Sequence, residues 1–159
     1  QYISYEEAEM IEELLNFDSS KLPNKIEDVI DEGTFKTQPK MKLAKALLLY
    51  LYYNSGNKNK IKVKKGKVTL EHIFPKNPIE KDINEAYDKK IHQLTNFTLM
   101  IKANNMKAGN LPVEEKMGLF TTDPFAAHLV NDEMVFNMED FLYNQKKHLK
   151  KLVINAFKE

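Results

Sequence analysis

Apolar residues recur at a helical period in three separate stretches of this 159-residue chain, whereas its β-prone runs are short and confined to the middle. That distribution predicts a mainly α fold with one small central β element, an α+β class. The first stretch opens with Ser4 and Glu7 in capping-box spacing and continues through Ala8, Ile11, Leu14 and Leu15, a helix over about 4–17. The second, Leu43, Leu47, Tyr50 and Leu51, marks a helix from Lys40 to about Tyr53, ended by the turn residues Asn54-Ser55-Gly56-Asn57. The third runs to about 157 behind Asn137 and Asp140, either of which can cap it, with Phe141, Leu142, Leu149, Leu152, Val153 and Phe157 on its apolar face.

Shorter segments fill the space between. Pro23, Gly33 and Pro39 bracket a short helix near 25–31. Ile61 to Leu70 alternates apolar and basic residues in its first half and reads as strand, turn, strand with the lysines on the wet face. Beyond Pro75 and Pro78, residues 79–92 read as a helix or helical loop, and Phe97-Thr98-Leu99-Met100-Ile101 as a strand. One or two helical turns around 104–107 close at Gly109. Pro112 then opens a short helix whose first turn holds Glu114 and Glu115, where the helix dipole favours anions. With neither repeats nor low-complexity tracts, the chain divides into a helical part (1–56), a β-containing core (61–117) and a second helical part (118–159) of one domain. A chain of this length buries roughly 70% of the surface its unfolded form exposes, so no disulfide is needed.

Composition narrows the chemistry. There is no cysteine, which removes disulfides, thiolate zinc sites and cysteine nucleophiles. Every basic residue is lysine, so no guanidinium fork is present to grip phosphate. The net charge of +1 conceals segregation: residues 1–32 hold ten acids and two lysines, and residues 33–67 hold ten lysines and no acid. No apolar run is long enough to span a bilayer and the acidic N-terminus is unlike a signal peptide, which makes a cytoplasmic setting the default. The missing initiator methionine predicts a piece of a longer chain.

Familiar catalytic signatures are absent: no phosphate-cradling glycine loop, no nucleophile elbow, and no pair of the four histidines at helical metal-ligand spacing. One histidine stands in unusual surroundings. In Val68-Thr69-Leu70-Glu71-His72-Ile73-Phe74-Pro75 an acid–imidazole pair sits where an apolar strand meets a proline. Thr95-Asn96-Phe97-Thr98-Leu99-Met100 follows, then Ala103-Asn104-Asn105-Met106-Lys107-Ala108-Gly109-Asn110 and Val113-Glu114-Glu115-Lys116. This order resembles the ββα-metal (HNH, His-Me finger) nucleases. It is most similar to the C-terminal nuclease domain of GmrSD-type, modification-dependent restriction endonucleases, with motifs across about 70–117. Lys76 stands where that family usually has glutamine, Thr95 where it has glycine, and the tryptophan often found before its final helix is missing.

The resemblance implies a metal-dependent DNA endonuclease acting in restriction of foreign or modified DNA. By it, His72 is the general base, Asn96 holds the loop that orients it, and Glu71 and Asn105 bind one Mg²⁺ or Mn²⁺, with Asn104 the alternative ligand. It further implies an upstream NTPase-type domain and DNA as partner. The chemistry is self-consistent, because a neutral imidazole can take a proton from water and a hard ion needs only one or two protein oxygens. Lys62, Lys64, Lys65, Lys67, Lys76 and Lys107 are candidate phosphate contacts, and His92 a candidate substrate-facing residue. Each has a plainer reading: His72 closing a strand, Asn105 capping a helix, the lysines a solvated face. The rival function is a catalytically silent DNA-binding or assembly module with the same fold. In a regular strand Glu71 and His72 point to opposite faces, so a shared site predicts that the strand ends or twists there.

Overall fold

The computed structural model describes residues 22–62, 66–76, 85–131, 133 and 137–158. The helix expected at 4–17, Lys64 and Lys65, and the first part of the helix expected at 79–92 lie outside them. Helix α1 (Leu22–Glu32) precedes α2 (Gln38–Asn54), strand β1 (Val68–His72) and α3 (Glu85–Ile91). A single 3₁₀ turn (Leu94–Asn96) leads into β2 (Phe97–Ile101), followed by α4 (Lys102–Ala108), α5 (Val113–Thr122), the one-turn α6 (Ala126–Leu129) and α7 (Met138–Ala156). The mainly helical α+β class read from the sequence is the one observed, with a two-stranded antiparallel sheet at its centre.

Helix α2 is the axle of the core. Proline near its N-terminus sacrifices no hydrogen bond, since the first-turn amides have no helical partner. From Leu43 onward it buries residues on nearly every side, Leu47, Leu48, Leu51 and Tyr52 completely. A helix apolar all round is one that its neighbours surround. Helix α7 is instead one-sided: the Asn137 side chain caps it by accepting from the Asp140 amide, and Phe141, Leu142, Leu149, Leu152 and Val153 face inward. Lys150 pairs with Asp31 at 2.8 Å, tying α7 to α1.

Of the strand–turn–strand expected within 61–70, Ile61 and Lys62 are not strand and residues 63–65 lie outside the described residues. Among the described residues of that stretch only Val68 onward is strand, and its partner is β2, in the register Val68–Ile101, Leu70–Leu99 and His72–Phe97. The backbone at Ile61 is engaged elsewhere: its amide donates to the Tyr52 hydroxyl at 3.0 Å and its carbonyl accepts from the Tyr53 hydroxyl at 2.6 Å. Two apolar clusters cover the hairpin. Val68, Phe97 and Leu99 join α1, α2 and α7 in one, whereas Met100 joins Ile73, Phe74, Val113, Met117 and Phe120 in the other.

Candidate active site

Strand alternation places Thr69 and Glu71 on the sheet face reached by Asn105 of α4 and Lys116 of α5, and Leu70 and His72 on the opposite face. The pairing continues through His72, the last residue of β1, so Glu71 and His72 keep the strand alternation and the strand ends directly after them. Glu71 is buried, with its Oε1 3.6 Å from the Nζ of Lys116, a lysine with no solvent exposure. Lys116 Nζ also donates to the His72 carbonyl oxygen at 2.8 Å. Glu71 Oε2 is buried with no hydrogen-bond partner. Burial pushes the Glu71 carboxyl up, against the pull of the Lys116 ammonium, and pushes the Lys116 ammonium down, against the pull of Glu71.

The His72 ring lies against Phe97, its cross-strand partner, at 4.4 Å between centroids, and meets His92 edge-on at 5.6 Å. His72 Nε2 and both ring nitrogens of His92 are buried and make no hydrogen bond; the nearest charge to His92 is the Asp88 carboxylate, 3.6 Å away. Burial, then the neighbouring His92, Lys116 and Lys76, hold the His72 imidazole down to about 4. It is therefore neutral, with a nitrogen able to accept a proton, throughout the neutral range.

Asn96 has no exposure and uses both ends of its amide. Its Oδ1 accepts from the Phe74 amide at 2.8 Å, and its Nδ2 donates to the carbonyls of Phe74 and Ile91, each at 3.0 Å. Its backbone oxygen accepts from the Ile73 amide at 2.7 Å. One asparagine thus fastens the chain that leaves β1 directly after His72. Thr95, beside it, is buried with an unpartnered hydroxyl.

The two adjacent asparagines on α4 diverge. Asn104 Nδ2 donates to Asp123 Oδ2 at 2.8 Å, so that side chain is committed away from the strand. Asn105 Nδ2 donates to Thr69 Oγ1 at 2.6 Å and to the Leu70 carbonyl at 3.3 Å, placing its amide on the Glu71 face of β1. With the nitrogen so used, the amide oxygen is the atom that remains for a cation. A buried, unpartnered carboxylate oxygen and an amide oxygen are the hard donors a Mg²⁺-like ion requires, so these residues fit such an ion.

Lys62, Lys67, Lys76 and Lys107 are exposed, while His128 and His148 serve the frame. The His128 Nε2 and Ser55 Oγ lie 2.6 Å apart, and His148 Nε2 donates to the His128 carbonyl at 2.9 Å.

Two side chains of this region were not singled out from the sequence. Lys116 lies in the Val113-Glu114-Glu115-Lys116 block, and its signal was a lysine on an apolar helical face: Val113, Lys116, Met117 and Phe120 are all buried. Asp123, with no exposure, accepts from Ile101 N, Asn104 Nδ2, Phe125 N and Ala126 N at 2.8–3.0 Å, and its signal was an acid three residues ahead of a short helix.

No helix among the described residues is long and apolar enough to cross a membrane. No curated protein and no solved structure matches the chain. A family model does: the C-terminal domain of GmrSD restriction endonucleases matches residues 19–153, which include every candidate site residue. Both the motif order around Glu71-His72 and this match lead to one conclusion, that the chain belongs to the family of GmrSD restriction endonuclease C-terminal domains.

Proposed function

We propose that this domain is an HNH-type endonuclease that hydrolyses DNA phosphodiester bonds with one bound Mg²⁺ or Mn²⁺. The observation that carries the reading is a pair of orphaned atoms on adjacent residues: Glu71 Oε2 and His72 Nε2 are both buried and unpartnered at the end of β1. Buried polar atoms without partners are uncommon, and they concentrate where an ion, water or substrate belongs.

His72, neutral at physiological pH, accepts the proton of the attacking water. Asn96 is a positioning residue that fastens the loop behind His72. Glu71 and Asn105 hold the ion, which when bound supplies positive charge to the scissile phosphate and its leaving oxygen. Because Glu71 and His72 leave opposite faces of β1, the scissile phosphate lies across the end of the strand, where both can approach it. The exposed Lys62, Lys67, Lys76 and Lys107, with Lys64 and Lys65 beside them in sequence, hold flanking phosphates by charge alone. His92, edge-on to His72, keeps that ring in place and lines the substrate side of it. The upstream partner is an NTPase-type domain, and the target is foreign or modified DNA.

Nicking of supercoiled plasmid in Mg²⁺ or Mn²⁺ tests the reading. His72→Ala is expected to lower the rate by about 10²–10⁴-fold with DNA affinity retained. Metal-dependent cutting at the wild-type rate by a folded His72→Ala protein overturns it.

A further inference from the structure

Lys116 sits within the proposed cation site but has no part in binding DNA or moving a proton. We infer that Lys116 is a specificity-determining residue for the metal: by occupying Glu71 Oε1 it restricts the carboxylate to one oxygen, and so selects Mg²⁺ or Mn²⁺ over Ca²⁺. The inference rests on Glu71 binding the ion, as proposed above.

The geometry is asymmetric. The Lys116 ammonium lies 3.6 Å from Glu71 Oε1, whereas Oε2 has no partner. It is also anchored, because the 2.8 Å bond to the His72 carbonyl fixes the ammonium against the strand that carries Glu71. Nor has it anywhere else to go. Lys116 is fully buried on the face of α5 shared with Val113, Met117 and Phe120, and withdrawal from the carboxylate would leave a charge in apolar surroundings.

An ion bound through both oxygens of Glu71 would face that ammonium at short range in a water-poor site, where like charges repel strongly. An ion bound through Oε2 alone sits on the far side of the carboxylate. The two classes of hard ion differ in this requirement. Ca²⁺ gathers about six to eight oxygens and commonly takes a carboxylate by both of its oxygens. Mg²⁺ is content with one or two single-oxygen ligands and retains water in the rest of an octahedron. Mn²⁺ shares that preference for octahedral oxygen sites. A carboxylate with one oxygen already taken suits the second class.

Calorimetric titration of Mn²⁺ and Ca²⁺ into wild type, Lys116→Met and Glu71→Gln tests the inference, with thermal melting to establish folding. Wild type is expected to bind Mn²⁺ more tightly than Ca²⁺. In Lys116→Met the ratio of the two affinities is expected to fall at least about tenfold, because Ca²⁺ gains a second oxygen. Damage that was merely structural would weaken both ions together and leave the ratio unchanged. Where methionine prevents folding, Lys116→Gln carries the same comparison. An unchanged ratio in a folded variant, with Mn²⁺ binding abolished by Glu71→Gln, overturns the role of Lys116 and leaves the cation site standing. Mn²⁺ binding that survives Glu71→Gln, or its absence in wild type, overturns the cation site and this inference with it.

Discussion

The residue with the most demanding hydrogen-bond geometry is Asn96, whose amide matches one donor and two acceptors on the chain around it: Phe74 N, Phe74 O and Ile91 O. No other side chain of that size presents an acceptor and a double donor at once. Asn96→Ala leaves these groups unpaired in a site without solvent, at a cost of about 1–3 kcal/mol in urea unfolding. Asn96→Asp is expected to be no better, because a carboxylate oxygen would face the two carbonyls. The sequence marked Asn96 through its place before a β-prone run, and its role as loop holder was what the family resemblance implied. The environment of Glu71 was not legible in the same way. An acid in a strand reads as solvated, and its burial depends on Lys116, which is 45 residues away in the chain. Spacing from Leu99-Met100 favours Asn105 over Asn104; what commits Asn104 elsewhere is an acceptor, Asp123, contributed by the segment between α5 and α6.

Among the elements, α4 is held at both ends by different means. Asp123 fastens its start, bonding the Ile101 amide and the Asn104 side chain while also collecting the first amides of α6. Asp123→Ala strands four donors and is expected to destabilise the protein by roughly 2–5 kcal/mol by urea unfolding, with the placement of Asn105 at the proposed cation site disturbed as well. The far end stops at Gly109, whose φ of +48° and ψ of −134° suit only glycine. Space is not the constraint, since a Cβ there would meet nothing within 4 Å. Gly109→Ala therefore costs backbone strain alone, about 1–3 kcal/mol in the same measurement. Most elements were legible from period and punctuation, including β2, α7 with its Asn137 cap, and the turn at Gly109. The pairing of β1 was not. A sequence with turn residues at Lys65-Gly66 invites a local hairpin, whereas the tyrosine hydroxyls of α2 engage Ile61 and the partner strand arrives from residues 97–101.

At the scale of the molecule, several buried imidazoles make the fold sensitive to acid. Burial is the main cause that lowers His72, His92 and His128, so each takes up a proton more readily in the unfolded chain. Stability is therefore lost as pH falls below the ordinary histidine value of about 6.5, with Glu71, whose carboxyl is raised, acting in the opposite sense. For His72, held to about 4, the loss by about pH 5.5 is on the order of 1 kcal/mol. Melting curves of the metal-free protein should shift down by a few degrees between about pH 7.5 and about pH 5.5, and His128→Gln should shallow that slope. The basic block acts over the same scale: replacing Lys62 and Lys67 by alanine is expected to weaken DNA binding without changing the chemical step. The slope of log affinity against log salt should then fall by about one per lysine, measured by fluorescence anisotropy. The sequence by itself determined what is local: helical periods, caps, punctuation, the charge segregation, and the Glu71-His72, Asn96 and Asn105 blocks in order. Each depends on residues within a few positions of one another. Only the tertiary structure decided which strand β1 pairs with, that Asn104 is bonded away from it while Asn105 reaches it, and that a buried lysine lies 3.6 Å from one oxygen of Glu71. Those outcomes depend on donors and acceptors separated by tens of residues, and burial strengthens or orphans them only once the chain has closed around the hairpin.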